Sequence, residues 1–526
     1  MTSFKNVSTN SRLLDFIKDN SLDEYTTTQN NAITFKSSGS AVLDFFSRAS
    51  AIRNKNAAKG EKVFSSSSEE RLKKLFRAAI NEDFALSIVV LFYIRDIRNG
   101  QGERELFRIL IKDLAKTHPV QVNKLISFFP ELGRWDDLFA LKGTRPYIDV
   151  LEYIRLQLIE DIEVLRNASD GDIVAISLCA KWMPSEFAGK KSKHLARELA
   201  YALKLSMQEY RQLLSVLRQH LHLVEIKMCE RKWNDIDYSK LPSRASFMYR
   251  KAFKKHDEAR YVKFIEDVKL GKSKINSATL YPYEIVQQVM QTSVYNRDES
   301  LEQLWYALPN YINQNHKNSI AVVDVSGSMS GTPMAVAVSL GMYLAERNTN
   351  SIWKDHFITF ETSPHLIEIK GGNFTEKVHN VLKAPWDGST DLQAVFDLIL
   401  NTAKKARLSK DELPEVIYII SDMEFNQAVV PYGGNKKIQQ DTNLNIIRGK
   451  YKKFGYEMPK LVFWNVNSTT DQSPAKYDDK GVALFSGLSA TIFKAVLSGD
   501  FNPLTSMLEV LLVERYLPIL QLMRDK

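Results

Sequence analysis

The sequence predicts a multidomain chain, an all-α helical array followed by an α/β unit built on a doubly wound, largely parallel sheet. Three observations carry that expectation. Up to about residue 300, apolar residues recur at helical spacing between short polar turns, with almost no strand-like alternation. Beyond about residue 315, apolar runs of strand length alternate with helical patterns. The 526 residues also exceed what a single core usually absorbs, roughly 100–200 residues.

Composition narrows the class. With 44% hydrophobic and 25% charged residues the chain reads as ordinary globular protein, which excludes collagen-like and wholly disordered chains. Two cysteines, Cys179 and Cys229, exclude a disulfide scaffold and a thiolate-rich zinc module, and suit a reducing, cytoplasmic compartment. The polar start Met1–Ser8 has no apolar stretch of a secretory leader. The longest apolar runs, Phe84–Ile94 and Ala335–Ala345, fall short of the 20 or so residues that span a bilayer, so no membrane partner is expected. The net charge of +9 is uneven. Residues 1–300 hold 48 Lys and Arg against 38 Asp and Glu, whereas residues 301–526 hold 23 against 24. A basic first part suits a polyanionic partner, although a solvated surface would look the same.

In chain order, residues 1–38 are rich in Ser, Thr and Asn and read as an irregular arm. Residues 39–312 form the expected helical domain. Ser66 to Glu70 places Ser three residues ahead of Glu twice, a capping-box signature opening a helix over 70–80. Phe84–Arg98 reads as a mostly buried helix with a basic end, closed by Asn99-Gly100-Gln101-Gly102. Glu103–Lys116 follows, apolar at Leu106, Ile109, Leu110 and Leu114, with Pro119 just past it. Further helices are expected over 120–129, 146–166, 172–182, 192–204 and 208–232, a succession that suits a solenoid of stacked helix pairs. Residues 313–500 form the α/β domain. Strands are expected over 319–325, 415–421, 460–467 and 481–485, with a hairpin of 356–362 and 365–370 around Ser363-Pro364. Helices are expected over 332–347, 391–407, 438–454 and 490–498, and 501–526 ends the chain as an amphipathic helix.

Ligands of an open α/β sheet bind beyond the carboxyl ends of its strands. The first strand runs into Asp324-Val325-Ser326-Gly327-Ser328, where a carboxylate and two hydroxyls alternate along an extended turn. Hard oxygen ligands gathered this way suit a small dication such as Mg²⁺ or Mn²⁺. A loop at Trp386–Asp391 offers the hydroxyl of Thr390, and the strand over 415–420 ends in Ser421-Asp422. The plain alternative is a strand-to-helix turn with capping hydroxyls.

Asp-x-Ser-x-Ser, a Gly-x-Thr loop and a strand-end Asp, in that order, resemble the metal-ion-dependent adhesion site of von Willebrand factor A (vWA) domains, matched at Asp324, Ser326, Ser328, Thr390 and Asp422. The resemblance implies a Rossmann-like domain whose serines and threonine hold a divalent cation (Mg²⁺ foremost, Mn²⁺ or Ca²⁺ as alternatives). The aspartates would ligate it directly or through water. One position would stay open for an acidic residue of a protein partner. The helical part adds to this. Tyr93–Arg98, Gly100–Arg108, Gly133–Asp137, Ala180–Pro184 and Arg244–Ile275 resemble the TROVE module of Ro ribonucleoproteins, and more closely the relatives that join a TROVE-like region to a vWA domain. That family implies a HEAT-like helical solenoid or ring binding small structured or single-stranded RNA, with the A domain closing it.

The basic residues expected to contact RNA are Arg95, Arg98, Arg104, Arg108, Lys181, Arg244, Arg250, Lys254, Lys255, Lys272 and Lys274. Each has a bland alternative. Arg95 and Arg98 complement a helix C-terminus, Arg104 and Arg108 can pair with Glu103 and Glu105, and Trp135 and Trp182 suit a core. Enzyme signatures are poor. There is no phosphate-binding Gly-x-x-x-x-Gly-Lys-Ser/Thr loop, and Met329 stands where a serine elbow would need its nucleophile. The sequence therefore predicts a non-enzymatic RNA-binding protein. A protein-interaction scaffold with a cation-dependent ligand site is the alternative, and a metal-dependent phosphohydrolase using Asp324 and Asp422 the more distant one.

Overall fold

A computed structural model describes residues 25–53, 64–168, 174–312, 318–349, 352–361, 363–384, 390–409, 412–426, 429–432, 435–438, 443–495 and 501–525. The described chain forms two compact units. The first gathers residues up to Ile94, Asn99–Gln101 and everything from Leu280 onward; the second holds Arg95–Arg98 and Gly102–Thr279. The expected boundary at 312 thus falls inside the first unit. The helices Pro282–Met290 and Glu299–Tyr306 belong with the sheet.

The strands are β1 (Tyr25–Thr27), β2 (Ile33–Phe35), β3 (Ser319–Val323), β4 (His356–Thr359), β5 (Leu366–Glu368), β6 (Val416–Ser421), β7 (Val429–Tyr432), β8 (Asn435–Ile438), β9 (Lys460–Asn465) and β10 (Val482–Ser486). Six of them form one sheet in the order β10-β9-β6-β3-β4-β5. Every pairing in it is parallel except β4 with the edge strand β5. β3 and β6 are buried along their whole length. That is why they read as continuous apolar runs rather than alternating ones. From β3 the chain winds outward to β4 and β5, and from β6 it winds the other way to β9 and β10. The direction therefore reverses between β3 and β6.

The helix Thr332–Arg347 crosses from β3 to β4, with Gly331 at φ 88° before it and Pro333 in its first turn. Gly341 lies where this helix meets β3, and a Cβ there would collide with Val323 Cγ2. At the far edge the helix Ala41–Arg48 packs on β10. Phe46 meets Phe485 edge-on with centroids 5.5 Å apart, and Ser486 Oγ donates to the Phe46 carbonyl at 3.0 Å.

The structure departs from the expected elements in several places. The described part of the expected irregular arm, from residue 25, contains the antiparallel β1–β2 hairpin, paired from Tyr25 with Phe35 to Thr27 with Ile33. The helix expected over 70–80 spans Ser66–Glu82 and is capped by Ser65, whose side chain accepts from Ser68 N. The helix expected over 438–454 begins at Asn443, because residues before it form the β7–β8 hairpin. The long helix expected over 208–232 breaks after His220, where His222 takes φ 46°. The C-terminal helix is two helices, Pro503–Leu511 and Leu517–Arg524.

The second unit is all-helical, from Arg104–Thr117 to Glu258–Lys269. Its helices pack on elements near in sequence, Ser243–His256 on the next helix Glu258–Lys269 and Tyr147–Asn167 on Lys190–Ala202, the next but one. An ionic knot lies near its start. Arg95 is buried and donates to Asp137 through Nε at 2.8 Å and Nη2 at 2.6 Å. Arg108 reaches the other Asp137 oxygen at 2.8 Å and Asp136 at 2.9 Å. Gly133 leaves the room this knot needs, since a Cβ there would meet Asp137 Oδ2 at 2.6 Å and Arg95 Nε at 2.9 Å. Among the described residues no helix is long and apolar enough to cross a membrane.

Candidate metal centre

The parallel register sets the site. β3 pairs Val323 with Ile420 of β6, so Asp324 leaves its strand beside Ser421, and Asp422 follows one residue on. The strand ladder extends one bond further, from Asp324 N to the Ile420 carbonyl at 3.1 Å. The carboxylates of Asp324 and Asp422 are therefore delivered to the carboxyl edge of the sheet at the point where its winding reverses, the usual crevice of such sheets.

Asp324 is wholly buried. Its Oδ1 accepts from Ser326 N at 2.9 Å and its Oδ2 from Ser421 Oγ at 2.6 Å. Ser326 is buried and Ser328 half-buried, and their hydroxyls are hydrogen-bonded to each other at 3.0 Å across the short 3₁₀ turn Gly327–Met329. Asn467, two residues past β9, fixes that turn by donating to the Ser328 carbonyl at 3.1 Å. Thr390 is buried and donates to the Glu424 carbonyl at 2.6 Å. Its backbone carbonyl accepts from Asn426 N at 2.9 Å. Asp422 Oδ1 accepts from Glu424 N at 3.2 Å. The three separated stretches named from the sequence thus meet along one edge. Gly388 and Ser389 of the expected Gly-x-Thr loop lie outside the described residues.

Electrostatics point the same way. Burial raises the Asp324 carboxyl above the usual carboxylate range, and the charge of Asp422 adds to the rise. Hydrogen bonds from Ser421 and Ser326 offset part of it. Two buried carboxylates interacting this way, beside the hydroxyls of Ser326 and Ser421, form a donor set that fits a hard dication. Octahedral ligands near 2.1 Å stand about 3.0 Å apart when adjacent, and the Ser326 and Ser328 oxygens have that spacing. Among the described residues no group of three or more His, Cys, Asp and Glu could hold a metal. The candidate set is of another kind, two carboxylates with three hydroxyls.

Sequence reasoning missed Glu424, Asn467 and Asn30. Glu424 is buried, and its Oε2 accepts from Gln29 N at 2.7 Å while its Oε1 accepts from Thr469 Oγ1 at 3.2 Å and from Thr470 Oγ1. It ties the β6 loop to the loop after β9 and to the hairpin turn. The strand-end rule that found Asp422 also reaches Glu424 and Asn467. Asn30 had no comparable signal beyond the Asn30-Asn31 pair, a turn marker.

The basic residues divide. Arg95 and Arg250 are buried, which corrects their assignment as RNA contacts. Arg95 neutralises Asp137, and Arg250 donates to the Phe247 carbonyl at 2.6 Å and lies over the Phe247 ring. Arg108 is held by Asp136 and Asp137. Arg104 is exposed and pairs with Glu105 at 2.9 Å. Lys181 is half-buried with Nζ 5.7 Å from the Trp182 ring. Arg98, Arg244, Lys254, Lys255, Lys272 and Lys274 are exposed, and so is Lys251. On the helix Ser243–His256, Arg244, Lys251 and Lys255 recur at helical spacing along the outer face.

Fold and site define a two-unit protein, a helical unit and a doubly wound α/β unit with an acidic, hydroxyl-rich pole at its switch point. Residues 318–509 match a family model described as Domain of unknown function (DUF7788), and residues 28–127 and 185–325 match Domain of unknown function (DUF2828). Over 521 residues the chain is 32% identical to Uncharacterized protein L728 of Acanthamoeba polyphaga mimivirus, covering 92% of this chain and 86% of that protein. The chain belongs to the same family as that viral protein.

Proposed function

We propose that the α/β unit is a von Willebrand factor A-type domain that binds a divalent cation, Mg²⁺ foremost, through Asp324, Ser326, Ser328, Thr390 and Asp422, and that the helical unit binds RNA in the manner of Ro ribonucleoproteins. The observation that carries the cation reading is the 3.0 Å spacing of the Ser326 and Ser328 hydroxyls beside two buried carboxylates. The strand order supports it, since the pole lies where the winding of the sheet reverses. The cation would neutralise the Asp324–Asp422 pair and leave a coordination position for an acidic residue of a protein partner. The reading assigns no chemical step to these residues.

The cation reading is tested by thermal unfolding with and without Mg²⁺ or Mn²⁺. A ligand at a hundredfold excess over its Kd adds about 2.7 kcal/mol to the folded state, so the melting temperature of the native chain should rise. The rise should vanish in Asp324→Ala and Ser326→Ala. A native chain that melts identically with and without cation would refute the site.

RNA binding is supported by the exposed basic face of the helix Ser243–His256 with Lys272 and Lys274 beyond it. Phosphate contacts release counterions, so log K should fall with log salt at about −0.7 per single-strand phosphate. Retention of labelled RNA on filters across a salt series measures this, and no retention at low salt would end the RNA reading. The exposed apolar side chains of Ile148, Phe187 and Tyr201 on the same unit favour the second reading, a protein-interaction scaffold.

A further inference from the structure

We infer that the N-terminal β1–β2 hairpin is a wall of the candidate cation site and that Asn30, at its turn, is a positioning residue that orients the Thr390 hydroxyl toward the cation. The inference rests on the cation reading above and extends the site by a segment that lies 360 residues before Thr390 in sequence.

The turn Thr28–Asn31 is docked on the two loops that carry Thr390 and Asp422. Thr28 Oγ1 donates to the Phe425 carbonyl at 2.7 Å, Gln29 N to Glu424 Oε2 at 2.7 Å, and Asn31 forms an antiparallel bridge with Asn426. Asn30 Nδ2 donates to the Glu424 carbonyl at 2.6 Å and to Thr390 Oγ1 at 3.2 Å. The base of the hairpin is held separately. Phe35 and Ser473 exchange backbone bonds at 3.1 and 2.8 Å, Thr34 Oγ1 donates to the Ser473 carbonyl at 2.7 Å, and Phe35 is buried beneath the Lys476 ammonium. Anchored at both ends, the turn is part of the built site.

The hydrogen-bond inventory of Thr390 gives Asn30 its role. A hydroxyl has one hydrogen and two lone pairs. The hydrogen goes to the Glu424 carbonyl at 2.6 Å, much closer than Asn426 Oδ1 at 3.3 Å. One lone pair accepts from Asn30. The second lone pair is what remains for a cation, in a direction set by the other two bonds. Both amide hydrogens of Asn30 are thereby used, one on the ligand and one on the carbonyl that orients it. Outer groups of this type govern how well the ligands beneath them hold a metal.

The test titrates Mn²⁺ into the full-length chain and reads free Mn²⁺ by electron paramagnetic resonance. It compares the native chain with Asn30→Ala, Thr390→Val, the double variant and Asp324→Ala. Asn30→Ala should weaken Mn²⁺ binding about tenfold, the low end of what such outer partners contribute, with a native-like circular dichroism spectrum in EDTA. In the Thr390→Val background Asn30→Ala should have no further effect, because the hydroxyl it orients is gone. Asn30→Leu keeps the side-chain bulk without the donors and should repeat the loss should the Ala variant fold poorly. Native-like Mn²⁺ affinity in both Asn30 variants, or a loss that simply adds to that of Thr390→Val, would overturn the positioning role while leaving the site intact. Failure of the native chain to bind Mn²⁺, or equal binding by Asp324→Ala, would overturn the cation reading and this inference with it.

Discussion

Asp137 illustrates how much one side chain can hold. It accepts from Arg95 and Arg108 with both oxygens while fully buried, and its Oδ2 also takes the backbone N–H of Arg134 at 3.0 Å. Truncating it leaves the buried Arg95 guanidinium without its counter-charge and Arg108 with one partner fewer, and breaking a buried pair in this way costs about 3–5 kcal/mol. Asp137→Ala should therefore unfold the helical unit at markedly lower urea, read by circular dichroism. A shift near zero would mean that water already screens the knot. The same residue shows the limits of reading a sequence. Arg95 stands in an Arg-Asp-Ile-Arg string that looks like a basic surface, and nothing local reveals an acid 42 residues on that buries it. That Asp324, Ser326 and Ser328 gather at one sheet edge was legible for the opposite reason. Asp324, Ser326 and Ser328 sit within five residues of a strand end, where direction is fixed by the strand itself.

At the scale of elements the sheet was legible and its packing was not. β3, β6 and β9 read as apolar runs because both their faces are covered, and the helix Thr332–Arg347 appeared at its predicted bounds. The β1–β2 hairpin escaped because three-residue strands of Tyr, Thr, Ile and Phe carry too short a pattern to stand out from a polar arm. Gly341 shows packing overriding propensity. In a helix interior Gly→Ala ordinarily gains about 1 kcal/mol. Here the added methyl meets Val323 of β3, and overpacking of this kind costs about 1–3 kcal/mol. Gly341→Ala should be destabilising by chemical denaturation, and Val323→Ala in the same chain should recover part of the loss by making room. A stabilising Gly341→Ala would show that the helix lifts off the strand freely.

For the whole molecule, the order of domains along the chain was the least legible property. Among the described residues helices follow one another from Ala41 to Tyr306 without an intervening strand, yet those helices join two different cores, and the second unit interrupts the first in sequence. Periodicity reports that a face is buried and is silent about which core buries it. Charge is a property at this scale too. Removing Lys251, Lys254 and Lys255 together should flatten the salt dependence of RNA retention by about 2 in slope if all three meet phosphates, with little change in helical content. An unaltered slope would mean that these lysines meet no RNA phosphates.

The bonds from Gln29 and Asn30 to Glu424 and Thr390 have a bearing on biosynthesis. A ribosome must add between 360 and 395 residues beyond the hairpin turn before that turn meets the loops it is shaped for. Until then its turn has only water for company. A fragment excised at 318–509 would never acquire that hairpin, so recombinant pieces cut at the family boundary would carry the proposed ligands without the contacts from Gln29 and Asn30.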